Sequence, residues 1–120
     1  MLVAVVCFGM STYANCSFSV TNVATESFQS NNAYDITVTV EPSFTPTGAG
    51  TYTIVVVPTN EFASVLGSQR MSVTMEYDGR SWVDDNRRVI RSRNIVFKCE
   101  TKERPICTRN DFKVYECFKN

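Results

Sequence analysis

Tyr-Asp-Ile-Thr-Val-Thr-Val (residues 34–40) alternates apolar and polar at every step, with Tyr34, Ile36, Val38 and Val40 on one side and Asp35, Thr37 and Thr39 on the other. Successive side chains of a strand point to opposite faces, so such a run buries one face and leaves the other wet. Its β-branched residues suit a pleated, half-buried surface. The segment reads as a strand, and its surroundings repeat the pattern.

Downstream, Glu-Pro-Ser-Phe-Thr-Pro-Thr-Gly-Ala-Gly (residues 41–50) is a loop by its proline and glycine spacing. Thr-Tyr-Thr-Ile-Val-Val-Val (residues 51–57) resumes the strand and turns apolar on both faces, which predicts cover on both sides before Pro58 stops it. Residues 61–66 fit either a short helical turn or a strand edge. Ser-Val-Thr-Met-Glu-Tyr (residues 72–77) alternates through Val73, Met75 and Tyr77 and runs into Asp78-Gly79. That pair predicts a two-residue hairpin turn with both central residues at positive φ, and residues 80–83 as the returning strand. Residues 94–99 and 112–118 are further strands, and Phe18 and Val20 beside Cys16 begin the series. About seven short strands in about 100 residues predict an all-β, immunoglobulin-like antiparallel β-sandwich. No amphipathic helix of useful length, internal repeat or interdomain linker interrupts it.

The first fourteen residues read differently. Leu2 to Gly9 is an apolar run, and Thr12 and Ala14 are small residues where a signal peptidase requires them. A run this short cannot span a bilayer, which takes roughly 20 apolar residues. No Lys or Arg precedes it, so either its basic region is minimal or the true start lies upstream. A buried N-terminal strand is the alternative. The expected organisation is a signal peptide over residues 1–14 and one extracellular β-domain over residues 15–120.

Cysteine usage agrees. Removing residues 1–14 takes Cys7 away and leaves Cys16, Cys99, Cys107 and Cys117, an even number. Their spacing has no C-x₂-C knuckle of a zinc site, so two disulfides are expected, with connectivity open among three pairings. Asn15-Cys16-Ser17 matches the N-glycosylation pattern and makes Asn15 a possible glycoprotein acceptor.

The chain has 12 Lys+Arg, 12 Asp+Glu and no His. Without His there is no Ser-His-Asp triad, no Cys-His pair and no His-containing zinc site. Zero net charge also gives no global field toward nucleic acid or membrane. The charge is nonetheless uneven. Residues 15–79 carry one Arg against six acids, a net of −5, whereas residues 80–120 carry eleven Lys or Arg against six acids, a net of +5. Arg87, Arg88, Arg91 and Arg93 crowd one short segment, and clustered guanidinium groups suit a sulfated glycan or an acidic partner surface. Asp84 and Asp85 sit just before them, so local pairing in a solvated loop is the competing reading. As adjacent strand residues those two acids would point to opposite faces and share no substrate. The segment lacks the interleaved aromatics of single-strand nucleic-acid binders. Trp82, the only tryptophan, is expected in the core.

Thr-Tyr-Thr-Ile-Val-Val-Val-Pro-Thr-Asn (residues 51–60) with Ala-Ser-Val-Leu (residues 63–66) resembles the central strand region of placenta-expressed transcript 1 proteins and, more distantly, reeler domains. Cys16-Ser-Phe-Ser-Val20 and residues 34–40 fit the opening of such a domain, so the resemblance covers residues 16–66. It implies a secreted or lipid-anchored surface glycoprotein acting in epithelial or trophoblast differentiation, adhesion or repair, with no catalytic residues. Two features depart from the family. Lys119-Asn120 ends the sequence without the hydrophobic tail of a lipid-anchor signal, and the arginine- and cysteine-rich sequence from Arg70 onward differs from the family's later region.

The expected function is a non-enzymatic, secreted or cell-surface protein for extracellular binding, adhesion or differentiation signalling, needing no cofactor or metal. Its expected partner is an extracellular protein or a sulfated glycan, with oligomeric state left open. The alternative is a secreted effector, such as a protease inhibitor, toxin or defence protein. That version would use the basic loop Thr-Lys-Glu-Arg-Pro-Ile-Cys (residues 101–107).

Overall fold

A computed structural model describes residues 16–27, 32–59, 66 and 69–120. The expected leader over residues 1–14 and the candidate acceptor Asn15 lie outside the described residues. So does most of the undecided stretch 61–66, of which Leu66 alone is described, as helical and buried.

Among the described residues seven strands follow in order: β1 (Phe18–Ser27), β2 (Ala33–Pro42), β3 (Gly50–Pro58), β4 (Met71–Tyr77), β5 (Trp82–Val83), β6 (Arg93–Glu100) and β7 (Phe112–Lys119). A single 3-10 turn at Arg109–Asp111 introduces β7. The strands form two antiparallel sheets, ordered β1-β2-β6 and β5-β4-β3-β7, which face each other as an all-β sandwich of the expected kind.

The alternation in β2 is what brings the sheets together. Ile36, Val38 and Val40 are fully buried, and β6 adds Ile95, Phe97 and Cys99 beside them. From the opposite sheet Tyr52, Ile54 and Val56 of β3 and Met75 and Tyr77 of β4 complete the core. The apolar end of β3 is indeed covered on both faces, since outward-pointing Val55 is only 7% exposed. At one end of the sandwich Phe18, Phe44, Tyr52, Tyr77 and Trp82 pack edge to face, with centroids 5.2 to 5.8 Å apart. Edge-to-face packing sets the positive rim of one ring on the negative face of the next. Trp82 is therefore a core residue, as expected.

Two expectations require correction. The hairpin after β4 is not a two-residue turn. Tyr77 pairs with Trp82, which leaves residues 78–81 in the loop and cuts the returning strand to Trp82–Val83. Only Gly79 takes a positive φ there, at 107°. The carboxylate of Asp78 accepts the backbone N–H groups of Arg80 and Ser81, both at 2.8 Å, and this Asx cap favours the longer loop.

Nor do the described residues hold two disulfides. Cys16 and Cys117 are bonded, joining the segment before β1 to β7, whereas Cys99 and Cys107 are free thiols. Cys99 is used as a core side chain of β6, and Cys107 packs on the rim of the same core. Burial pushes both thiols above their ordinary pKa, and at Cys107 a hydrogen bond with Thr25 acts in the opposite direction.

Candidate functional site

The aromatic cluster leads through Trp82 into the arginine-rich segment of the sequence. Trp82 and Val83 leave it as β5, and the chain then turns back through residues 84–90. Val83 bridges Val89, and the N–H of Ile90 donates to the carbonyl of Trp82 at 2.9 Å. Asp84 organises the turn. Its Oδ1 accepts the N–H groups of Asn86 and Arg88, while its own backbone is bonded to those of Arg87 and Arg88, all at 2.9 Å. Asp85 makes no such contact and is exposed. The two adjacent acids thus have unrelated surroundings, and neither faces the other across a cleft.

This turn lies beside the 78–81 loop. The Asp78 carboxyl is held below the ordinary carboxylate range, first by the N–H groups of Ser81 and Arg80 and then by the charges of Arg87 and Arg80. Arg87 sits at φ 66°, the only described non-glycine residue in the left-handed region, and its guanidinium pairs with Glu76 of β4 at 2.9 Å. That pairing holds Arg87 still more firmly in its charged form.

The four arginines singled out by sequence are therefore not equivalent. Arg87 is bound to Glu76. Arg93, at the start of β6, donates from Nη1 to the carbonyl of Thr74 at 2.8 Å and so clasps one sheet to the other. Gln69 does similar work along the same seam, donating to the carbonyls of Leu66 and Lys98 at 2.7 and 2.9 Å. Arg88 and Arg91 are exposed and have no ion partner among the described residues. Arg80 joins them on the neighbouring loop, a residue the sequence reading left aside although the Asp78-Gly79 pair already placed it in a turn. Val89, 68% exposed, sits between Arg88 and Arg91 in the chain. Three exposed guanidinium groups thus lie on two neighbouring turns, and forks of this kind recognise oxyanions through paired N–H donors.

The opposite end carries the 101–107 loop. Thr101 N–H donates to the Asn32 carbonyl at 3.0 Å. Arg104 bonds the Thr25 carbonyl and lies over the Tyr34 ring, 5.9 Å from its centroid. A capping box between Thr108 and Asp111 closes the loop. Arg104 remains exposed in this loop while its guanidinium rests on the β1-β2-β6 sheet. Ile106, 90% exposed, is the outward side chain.

Among the described residues no helix is long and apolar enough to cross a membrane, and no group of three His, Cys, Asp or Glu could hold a metal ion. Comparison with protein-family models, with curated proteins and with solved structures finds no match.

Proposed function

We propose that the chain is a non-enzymatic, secreted or cell-surface binding protein whose arginine turns take a sulfated glycan. The observation that carries this reading is the contrast between engaged acids and open arginines. Glu76 is paired, and the carboxylates of Asp78 and Asp84 are spent on backbone N–H groups, which leaves Asp85 as the one open acid beside the exposed Arg80, Arg88 and Arg91, none of which has an ion pair among the described residues. Because Glu76, Asp78, Asp84 and Asp85 offset all but one of the charges of Arg80, Arg87, Arg88, Arg91 and Arg93, recognition rests on short-range forks to sulfate oxygens and not on a long-range field. The Cys16–Cys117 disulfide fits an oxidising, extracellular setting. The resemblance to placenta-expressed transcript 1 proteins points to the same setting and to a role in adhesion or differentiation.

Heparin-affinity chromatography tests the reading. The wild-type protein is expected to elute above physiological salt, and an Arg88→Ala/Arg91→Ala variant well below it. A Lys102→Ala control, at the opposite end, should elute with the wild type. Elution of the wild type at or below about 0.15 M salt, where screening already spans roughly 8 Å, sinks the proposal.

A further inference from the structure

Of the arginines in the sequence only Arg88 and Arg91 stand three apart, within Arg-Val-Ile-Arg-Ser (residues 88–92). Both are exposed, and neither has an ion partner among the described residues. A guanidinium just before a peptide bond, with a second three residues earlier, is the pattern read by convertase-type serine proteases of the secretory route. Such enzymes hold each fork with carboxylates and take the segment as an extended strand. Exposed loops are where nicking concentrates, provided the backbone is free enough to be drawn out.

Backbone bonding separates the arginyl bonds of this segment from one another. Arg87 and Arg88 are held by Asp84, whose carbonyl and Oδ1 accept their N–H groups at 2.9 Å. The Arg88 carbonyl in turn accepts the Asp84 N–H, and Val89 bridges Val83. Ile90 is fixed by its N–H to the Trp82 carbonyl, and Arg93 already pairs with Val40 in β6. Between these two anchors Arg91 and Ser92 make no backbone hydrogen bond among the described residues. The Arg91–Ser92 peptide is thus the loosely held link of the segment. Drawing Val89 and Ile90 into an extended strand requires the Val83–Val89 bridge to open, and Val89 is already 68% exposed. Local openings of this kind cost far less than global unfolding.

We infer that the chain is the substrate of a convertase-type protease that cuts between Arg91 and Ser92, with Arg88 as the second recognition fork. Water adds across the amide. Its carbon–nitrogen bond breaks, Arg91 is left with a carboxylate, and Ser92 with an ammonium group. The two pieces stay together, because Cys16–Cys117 spans the cut, and β6 and β7 beyond it pair with β2 and β3 before it. The inference rests on the extracellular setting proposed above and not on the glycan.

Incubating the purified protein with a purified calcium-dependent proprotein convertase tests it. One new amino terminus is expected, Ser-Arg-Asn-Ile (residues 92–95), with two bands on a reducing gel and one on a non-reducing gel. Arg91→Ala should abolish the cut. Arg88→Ala should slow it at least about tenfold, as for loss of a charged hydrogen-bonded fork. Trypsin, which reads only the arginine before the bond, should still open the Arg88→Ala variant after Arg91. Thermal melts check that both variants are folded. A wild type left intact overturns the inference, whether or not the free peptide of residues 86–93 is cut alongside it. First cleavage at another arginine overturns it too, and so does an Arg88→Ala variant cut at the wild-type rate. With both proteins purified, such a failure condemns the bond and leaves the extracellular reading untouched.

Discussion

Arg87 holds a backbone conformation that side chains with a Cβ rarely adopt, at φ 66° in the tightest part of its turn. Glycine enters that region without steric cost, whereas an L side chain brings its Cβ against the backbone. What Arg87 gains in exchange is the ion pair to Glu76, an interaction between two largely exposed groups and hence a weak one. Comparing two substitutions separates the effects. Arg87→Ala loses the ion pair and keeps the strain, so its melting temperature should fall. Arg87→Gly loses the same pair but relieves the strain, and should melt several degrees above the alanine variant. Equal melting temperatures for the two would mean the turn does not hold this conformation in solution. Nothing in the local sequence Asp-Asn-Arg-Arg (residues 85–88) singles out Arg87 for that position, since glycine or asparagine would be the usual occupant.

The turns themselves depend on their aspartates. Asp84 and Asp85 are chemically identical neighbours, yet Asp84 accepts two backbone N–H groups and Asp85 accepts none. Asp84→Ala should therefore destabilise the protein by about 1–2 kcal/mol, as expected for loss of a side chain that satisfies turn amides. Asp85→Ala should change stability by less than about 0.5 kcal/mol. Urea unfolding of both variants checks the contrast, and similar losses would refute the assigned turn geometry. Elements of this size were only half legible. The strands at residues 34–40, 51–57, 72–77 and 94–99 could be read because period-two alternation is local and one face must be buried. The hairpin after β4 is not legible locally because Asp78 and Gly79 satisfy two turn types, and the choice between them is made by a side-chain cap. Which of the four arginines are engaged within the chain is hidden from the sequence for a related reason. Whether Arg87, Arg88, Arg91 and Arg93 are open depends on Glu76 and Thr74, whose neighbourhood is created only when β4 meets β5 and β6.

At the scale of the whole molecule, cysteine pairing was the least legible feature, because it joins positions that sequence spacing cannot relate. The described residues hold one bridge, Cys16–Cys117, with a sequence separation of 101, and two thiols at Cys99 and Cys107. A cross-link closing about 100 residues restricts the unfolded chain strongly, and chain-entropy reasoning gives it a contribution of about 4–5 kcal/mol. Because it ties the strand opening one sheet to the last strand of the other, its loss also frees the seam between β1 and β7. Cys16→Ser/Cys117→Ser should lower the unfolding free energy by roughly 2–5 kcal/mol in urea. Reduction of the wild type with dithiothreitol should bring it to the same value. Adding dithiothreitol to the double variant should then change nothing, since Cys99 and Cys107 hold no bond to break. A further loss on reducing the variant would show a second bridge in the folded protein and overturn the assignment of these two cysteines as thiols. The same thiols carry a pH signature. Their pKa values are raised by burial, so the stability they contribute is complete below the pKa of an unfolded cysteine and is lost as pH rises through the folded values. The double variant, with no disulfide to hold it, should accordingly lose further stability on the alkaline side, and replacing Cys99 and Cys107 by Ala should flatten that loss.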